Sequence, residues 1–260
     1  MVILRYRWMD AIFITGTAGS GKSLLASRLL KSQKDNDIFS IVLNLDPGAV
    51  NLPYAPDVDV RDYVDVQALM ETYDLGPNGS LLIASDMIAT KLDEIQTEID
   101  NLNPDCVIVD TAGQIELFAF RASGMYFVSN FHVDNRAMIF TFDGMLVSSP
   151  INYVAVLLLA SSIKLRLQTS QVNVLTKRDL IVERLKSILE WSSSYTALES
   201  ALDNEKDTQS SLLSKDLARA IAKSGLMEDL IAVSSLTTSG MVNLSASLAR
   251  ILKQGEDMGA

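Results

Sequence analysis

The eight residues GTAGSGKS, Gly16 to Ser23, constrain the fold of this 260-residue chain more than any other stretch. They follow the apolar run AIFITG and precede a helical segment, Leu24 to Lys31. A strand, a glycine loop of the pattern G-x-x-x-x-G-K-S and a helix, in that order, curl successive backbone amides around phosphate oxygens, and the helix dipole adds positive potential. Ala18, Gly19, Ser20, Gly21, Lys22, Ser23 and Leu24 form the expected cradle. Lys22 is expected to reach the β and γ phosphates, and the Ser23 hydroxyl to ligate Mg²⁺.

Such a loop needs a parallel sheet behind it. FSIVLNLD (39–46), CVIVDTAG (106–113), AMIFTFDG (137–144), VNVLTKRD (172–179) and LIAVSS (230–235) are nearly continuous apolar runs. They read as strands buried on both faces. Leu92, Ile95, Ile99 and Leu102 recur at helical spacing, and residues 150–168 read as a further helix. Alternating strands and helices predict an α/β P-loop fold, with a mostly parallel open sheet flanked by helices. Residues from approximately 180 to 228 hold no strand signal and read as a helical insertion, with a polar connection at DNEKDTQSS. Residues 1–260 are then expected to form a single P-loop domain with a sizeable core.

Composition excludes several classes. Hydrophobic residues make up 48% and charged residues 21%, as in ordinary globular proteins. The formal charge of -10 argues against a general nucleic-acid surface, so no direct nucleic-acid partner is expected. Cys106 is the single cysteine, which excludes an intrachain disulfide and makes a reduced, cytoplasmic setting the default. The apolar part of MVILRYRWMD is too short for a signal peptide. The run Val154 to Ala160 falls short of the roughly 20 residues of a membrane span, so no membrane association is expected.

Three further motifs carry chemistry. Asp110 ends an apolar strand where a P-loop protein holds its Mg²⁺ shell, Gly113 can offer an amide to the γ-phosphate, and Gln114 can orient a water. LTKRDL (175–180) resembles the [NT]-K-x-D base-reading motif. The Asp179 carboxylate can accept both parallel donors of guanine, a pair adenine lacks, while Lys177 lays its stem over the ring. Thr176 stands where Asn is commoner, at an expected cost in bonding to the phosphate loop. In SSLTTSG (234–240), Ser235 and Leu236 sit where a backbone amide meets guanine O6. The interval from Lys22 to Asp110 is longer than in Ras-like proteins, and no lysine or arginine stands out as an internal finger.

The combination NLDPG (44–48), LPYAPDVDVRD (52–62), GPN (76–78), DTAGQIE (110–116) and TKRD (176–179) closely resembles the GPN-loop GTPases, over nearly the whole chain and most nearly their compact, archaeal-type members. The resemblance implies Mg²⁺-dependent hydrolysis of GTP to GDP and phosphate by a homodimer that acts as a switch or assembly factor. It implies that the loop Gly76, Pro77 and Asn78 enters the partner's site, with Asn78 contacting phosphate in trans. Asp46 would help order Mg²⁺ and the nucleophilic water, with Ser23 and Asp110 completing the metal set and Gln114 and Glu116 the water's surroundings. Read without the resemblance, Asn78 is equally suited to cap the helix that follows. A protein client, RNA polymerase subunits, follows only by family analogy. This chain departs from the family at Ala112, often Pro, and at Gly48, often Ala. A P-loop kinase and an assembly chaperone that merely holds nucleotide are the competing classes. Asp179→Asn is expected to lower GTP-over-ATP preference at least about tenfold, and unchanged selectivity in competition assays would remove the guanine assignment.

Overall fold

The computed structural model describes residues 8–205 and 208–257. The N-terminal MVILRYR, on which the absence of a leader was argued, lies outside them, as do Lys206 and Asp207 of the polar connection and the last three residues. In chain order the elements begin with β1 (Asp10–Gly16), α1 (Lys22–Lys34), β2 (Ser40–Leu45) and β3 (Val58–Asp59). Three helices follow, α2 (Val66–Tyr73), α3 (Pro77–Thr90) and α4 (Leu92–Leu102). Then come β4 (Cys106–Thr111), α5 (Ala122–Asn130), β5 (Asn135–Asp143), α6 (Pro150–Leu167) and β6 (Ser170–Thr176). The chain continues through α7 (Val182–Ser193), α8 (Tyr195–Asp203), α9 (Thr208–Lys223), β7 (Ile231–Ala232) and α10 (Met241–Asp257).

The seven strands form one parallel sheet in the order β3-β2-β4-β1-β5-β6-β7. Alternation along β1 divides the core. Ala11 and Phe13 face a layer containing Leu43, Val107, Val109 and Phe140, whereas Ile12 and Ile14 face Leu25, Leu29, Leu244 and Leu248 of α1 and α10. The chain leaves β1 toward β2 on one side, and leaves β4 toward β5 on the other. Between β1 and β4 the connections therefore part, opening a crevice at the carboxyl ends of the strands.

Several elements differ from the sequence expectation. The strand expected to run to residue 179 stops at Thr176, because Lys177 adopts φ +57°. Strand β7 is two residues long, and α1 begins at Lys22 rather than Leu24. Strand β3 and helices α2, α5 and α10 were not anticipated. Asn78 does not cap α3: Gly76 is the N-cap and Pro77 occupies the first turn, where a missing N–H costs nothing. Helix α6, 18 residues, extends well past the Val154–Ala160 run and is long and apolar enough by composition to cross a membrane. Here Tyr153, Val154, Leu157, Ala160 and Ile163 pack it into the core.

Close packing also fixes the segment after β4. A Cβ on Gly124 of α5 would lie 2.0 Å from the Phe118 carbonyl oxygen. Gly124→Ala is expected to destabilise the fold by about 1–3 kcal/mol in urea unfolding, and an unchanged midpoint would contradict this contact.

Candidate active site

The loop after β1 is bound to strands on both sides. A Cβ on Gly16 would fall 1.9 Å from Thr141 Oγ1, so only glycine permits this approach to β5. Ser20 Oγ lies 2.6 Å from Thr141 Oγ1 and donates to the Thr17 carbonyl at 2.7 Å. Lys22 is buried, and its ammonium donates to the carbonyls of Gly16 (3.1 Å), Thr17 (3.0 Å) and Gly113 (3.2 Å). Burial lowers the Lys22 pKa, opposed by the charges of Asp110 and Asp46.

The two carboxylates have distinct surroundings. Asp110 is buried, which pushes its pKa up against the pull of Ser23, Tyr54 and Lys22. Tyr54 donates its hydroxyl to Asp110 Oδ2 at 2.7 Å, while Asp110 Oδ1 has no hydrogen bond. Burial and the Asp110 charge raise the Tyr54 pKa. Asp46 accepts from the Gly48 amide through Oδ1 and from the Gly113 amide through Oδ2, both at 2.9 Å. In this conformation the Gly113 amide, expected to turn to a phosphate, is held by Asp46.

A second network fixes the loop after β2. Asn44 donates to Asp59 Oδ1 at 2.9 Å and accepts from the Asp46 amide at 3.0 Å. Arg61 pairs with Asp59 and donates to the Ala49 carbonyl at 2.8 Å. Its hydrogen bonds hold the Asp59 carboxyl below the usual range against the upward push of burial. Gly48 lies against α3, where a Cβ would be 2.8 Å from Leu81 Cδ2. Gly76, Pro77 and Asn78 are exposed. Gln114 and Glu116 are exposed on and beside a 3₁₀ turn, Ile115–Leu117, apart from the Asp46 cluster's hydrogen bonds.

At the other end, Gly21, Leu24, Thr176, Lys177, Asp179, Ser235 and Leu236, all expected to bind nucleotide, line one cleft of about 180 Å³ together with Leu180. Thr176 Oγ1 donates to the Ser20 carbonyl (2.8 Å) and to Phe142 (3.0 Å). Although Thr was expected to cost some bonding there, its hydroxyl still reaches the loop after β1 directly. Lys177 pairs with Asp143 at 2.7 Å, and Arg28 holds the Ser235 carbonyl at 2.5 Å.

Thr141, Asp143, Tyr54, Asp59, Arg61 and Arg28 were not singled out from the sequence. Asp143 had a signal, since it ends β5 as Asp110 nearly ends β4. Among the described residues no group of three His, Cys, Asp or Glu is placed to hold a metal. An all-oxygen set of one hydroxyl and one or two carboxylates nevertheless suits Mg²⁺, which keeps waters and phosphate oxygens as its other ligands. The unpartnered, buried Asp110 Oδ1 beside Ser23 fits that requirement.

A family model described as a conserved hypothetical ATP-binding protein matches residues 14–254. GPN-loop GTPase PAB0955 of Pyrococcus abyssi is 35% identical over 181 residues, covering 68% of this chain and 71% of that protein. The chain belongs to the GPN-loop GTPase family. GPN-loop GTPase QQT2 of Arabidopsis thaliana is 31% identical over 231 residues, 88% of this chain and 60% of that protein. The chain spans 49% of GPN-loop GTPase 1 of Dictyostelium discoideum. The crystal structure of apo PAB0955 superposes with a TM-score of 0.81 at 28% identity, covering 94% of this chain and 97% of that one.

In this family member the hydroxyl of Thr176 ties the cleft that holds Asp179 to the loop after β1. Thr176→Val, which keeps shape and removes the donor, is expected to weaken GDP binding about tenfold in a fluorescent-nucleotide titration. Unchanged affinity would show that the joint is dispensable.

Proposed function

We propose that the chain hydrolyses GTP to GDP and phosphate in a Mg²⁺-dependent reaction, as a homodimer whose change of shape makes it a switch or assembly factor. The observation that carries this reading is the cleft lined by Asp179, bonded through Thr176 to Ser20 of the loop that carries Lys22. The matching family model is described as ATP-binding, whereas the curated relatives are called GTPases. The Asp179 carboxylate in the base cleft favours guanine on chemical grounds.

Ser23, Asp46 and Asp110 are the residues that would hold Mg²⁺. When bound, it neutralises charge on the β- and γ-phosphate oxygens. Lys22 would exchange its loop carbonyls for phosphate oxygens. The γ-phosphate would take the Gly113 amide, releasing Asp46 toward the water and the metal. Gln114, next in sequence to Gly113, and Glu116, three residues on, are both exposed and would orient that water once the loop moves. Catalysis is then positioning plus charge stabilisation.

Support for the dimer comes from the crevice face. Val50, Leu180, Val182 and Leu236 are all exposed there, on segments that follow the carboxyl ends of parallel strands. The exposed Gly76–Asn78 tip stands on α3, whose Leu81 meets the Asp46–Ala49 loop. Pro77 stiffens the tip, and the Asn78 amide offers two donors to a partner's phosphate. A cytoplasmic setting and a protein client accompany this reading as proposals, with residues 180–228 as a helical insertion in one domain.

Co-expression of Lys22→Ala and Asn78→Ala chains tests the trans arrangement. Each alone is expected to fall on the order of a hundredfold in GTP turnover. Their mixture should recover about a quarter of wild-type turnover, since half of random pairs are heterodimers with one intact site of two. No recovery, or full-speed Asn78→Ala protein, would sink the proposal.

A further inference from the structure

At the amino-terminal edge of β5 and β6, on the side of the sheet away from the nucleotide crevice, lies an open cavity of about 550 Å³. Arg136 at the start of β5 and Arg166 near the end of α6 line it. Among the described residues neither guanidinium has a carboxylate partner. Arg136 Nη2 donates to the Phe131 carbonyl at 2.5 Å, but its Nε is buried and has no hydrogen-bond partner among the described residues. Burial lowers the Arg136 pKa, with no neighbouring acid to restore it. Arg166 donates Nε and Nη2 to the carbonyls of Ala119 and Phe120 at 2.7 and 3.0 Å, and lies 5.8 Å from the Phe120 ring centroid. Among the described residues its Nη1 makes no bond.

A partly desolvated guanidinium without a counter-ion is costly, and a chain with 32 acidic residues had carboxylates enough to pair it. The forked geometry of arginine matches a carboxylate, which can accept two parallel N–H bonds. Ser129 and Thr169 add hydroxyls, whereas Met125 and Leu167 contribute apolar walls. The volume falls within the about 300–1,000 Å³ of ligand pockets and exceeds the needs of a lone phosphate.

We propose that this cavity is an oxyanion site that receives a carboxylate of an acidic, partly apolar peptide segment from a partner protein. The site is independent of the nucleotide reading, since none of its residues lines the crevice.

The test uses the full chain loaded with Mg²⁺ and GDP, so that the phosphate loop is filled. An acetylated peptide of alternating glutamate and leucine is titrated by calorimetry, with inorganic phosphate in a separate arm. The peptide is expected to bind, to weaken with added salt, and to lose at least about tenfold in affinity on Arg136→Met and on Arg166→Gln, but not on Arg184→Gln at an exposed position of α7. Arg136→Met should keep or raise Tm, because it removes a desolvated charge. A merely structural Arg136 would instead lower Tm and leave peptide binding intact, which overturns the proposal. Binding of phosphate without peptide, or of neither, overturns it as well.

Discussion

A buried ammonium governs this structure. Lys22 sits at the point where the sheet's connections diverge, where water is scarce, and a desolvated cation there costs several kcal/mol unless its surroundings compensate. Three carbonyls supply part of that compensation and two carboxylates the rest. The carbonyls of Gly16 and Thr17 belong to the loop itself, but Gly113 belongs to the segment after β4. The ion thus ties two loops that the chain separates by ninety-odd residues. An anion entering the crevice competes for the same ammonium, and both loops must respond.

Asp46 makes that response directional. Its two oxygens bind amides from its own loop and from the Gly113 segment, and the Asn44–Asp59–Arg61 network holds the same loop from behind. These groups act as one unit, since displacing Asp46 from Gly113 frees a carboxylate next to buried Asp110. The base end is anchored differently. Thr176, Asp143 and Arg28 hold the cleft through bonds that meet the loop after β1 only at the Ser20 carbonyl. Recognition of the base can therefore stay rigid while the γ-phosphate end rearranges.

Much of this was legible in the sequence because phosphate and base recognition demand particular residue types at short range. GTAGSGKS and TKRD each report a strand end and the loop that follows, and the predicted cleft residues do meet. Contacts between distant segments left no such mark. Asp46 and Gly113 are 67 positions apart, and nothing local announces that one will bind the other. The extent of helix α3 was hidden because it opens with turn residues and carries Leu81, Leu82 and Ile83 in succession rather than at helical spacing. Strand β3 is two residues long, too short for any alternation to show. The contact of Thr176 with Ser20 was not legible because a side chain's reach depends on how close two loops approach, which composition does not express.

Gly48 has a consequence for the whole crevice wall. With no side chain there, Leu81 fills the space that an alanine methyl would claim, so loop and helix are in contact without slack. A rearrangement of Asp46 would then press on α3 like a cam on its follower, with the exposed tip at the helix start as the far end of that lever. Relatives with alanine at this position would run the same linkage from a different resting point, the stroke being set by a single carbon.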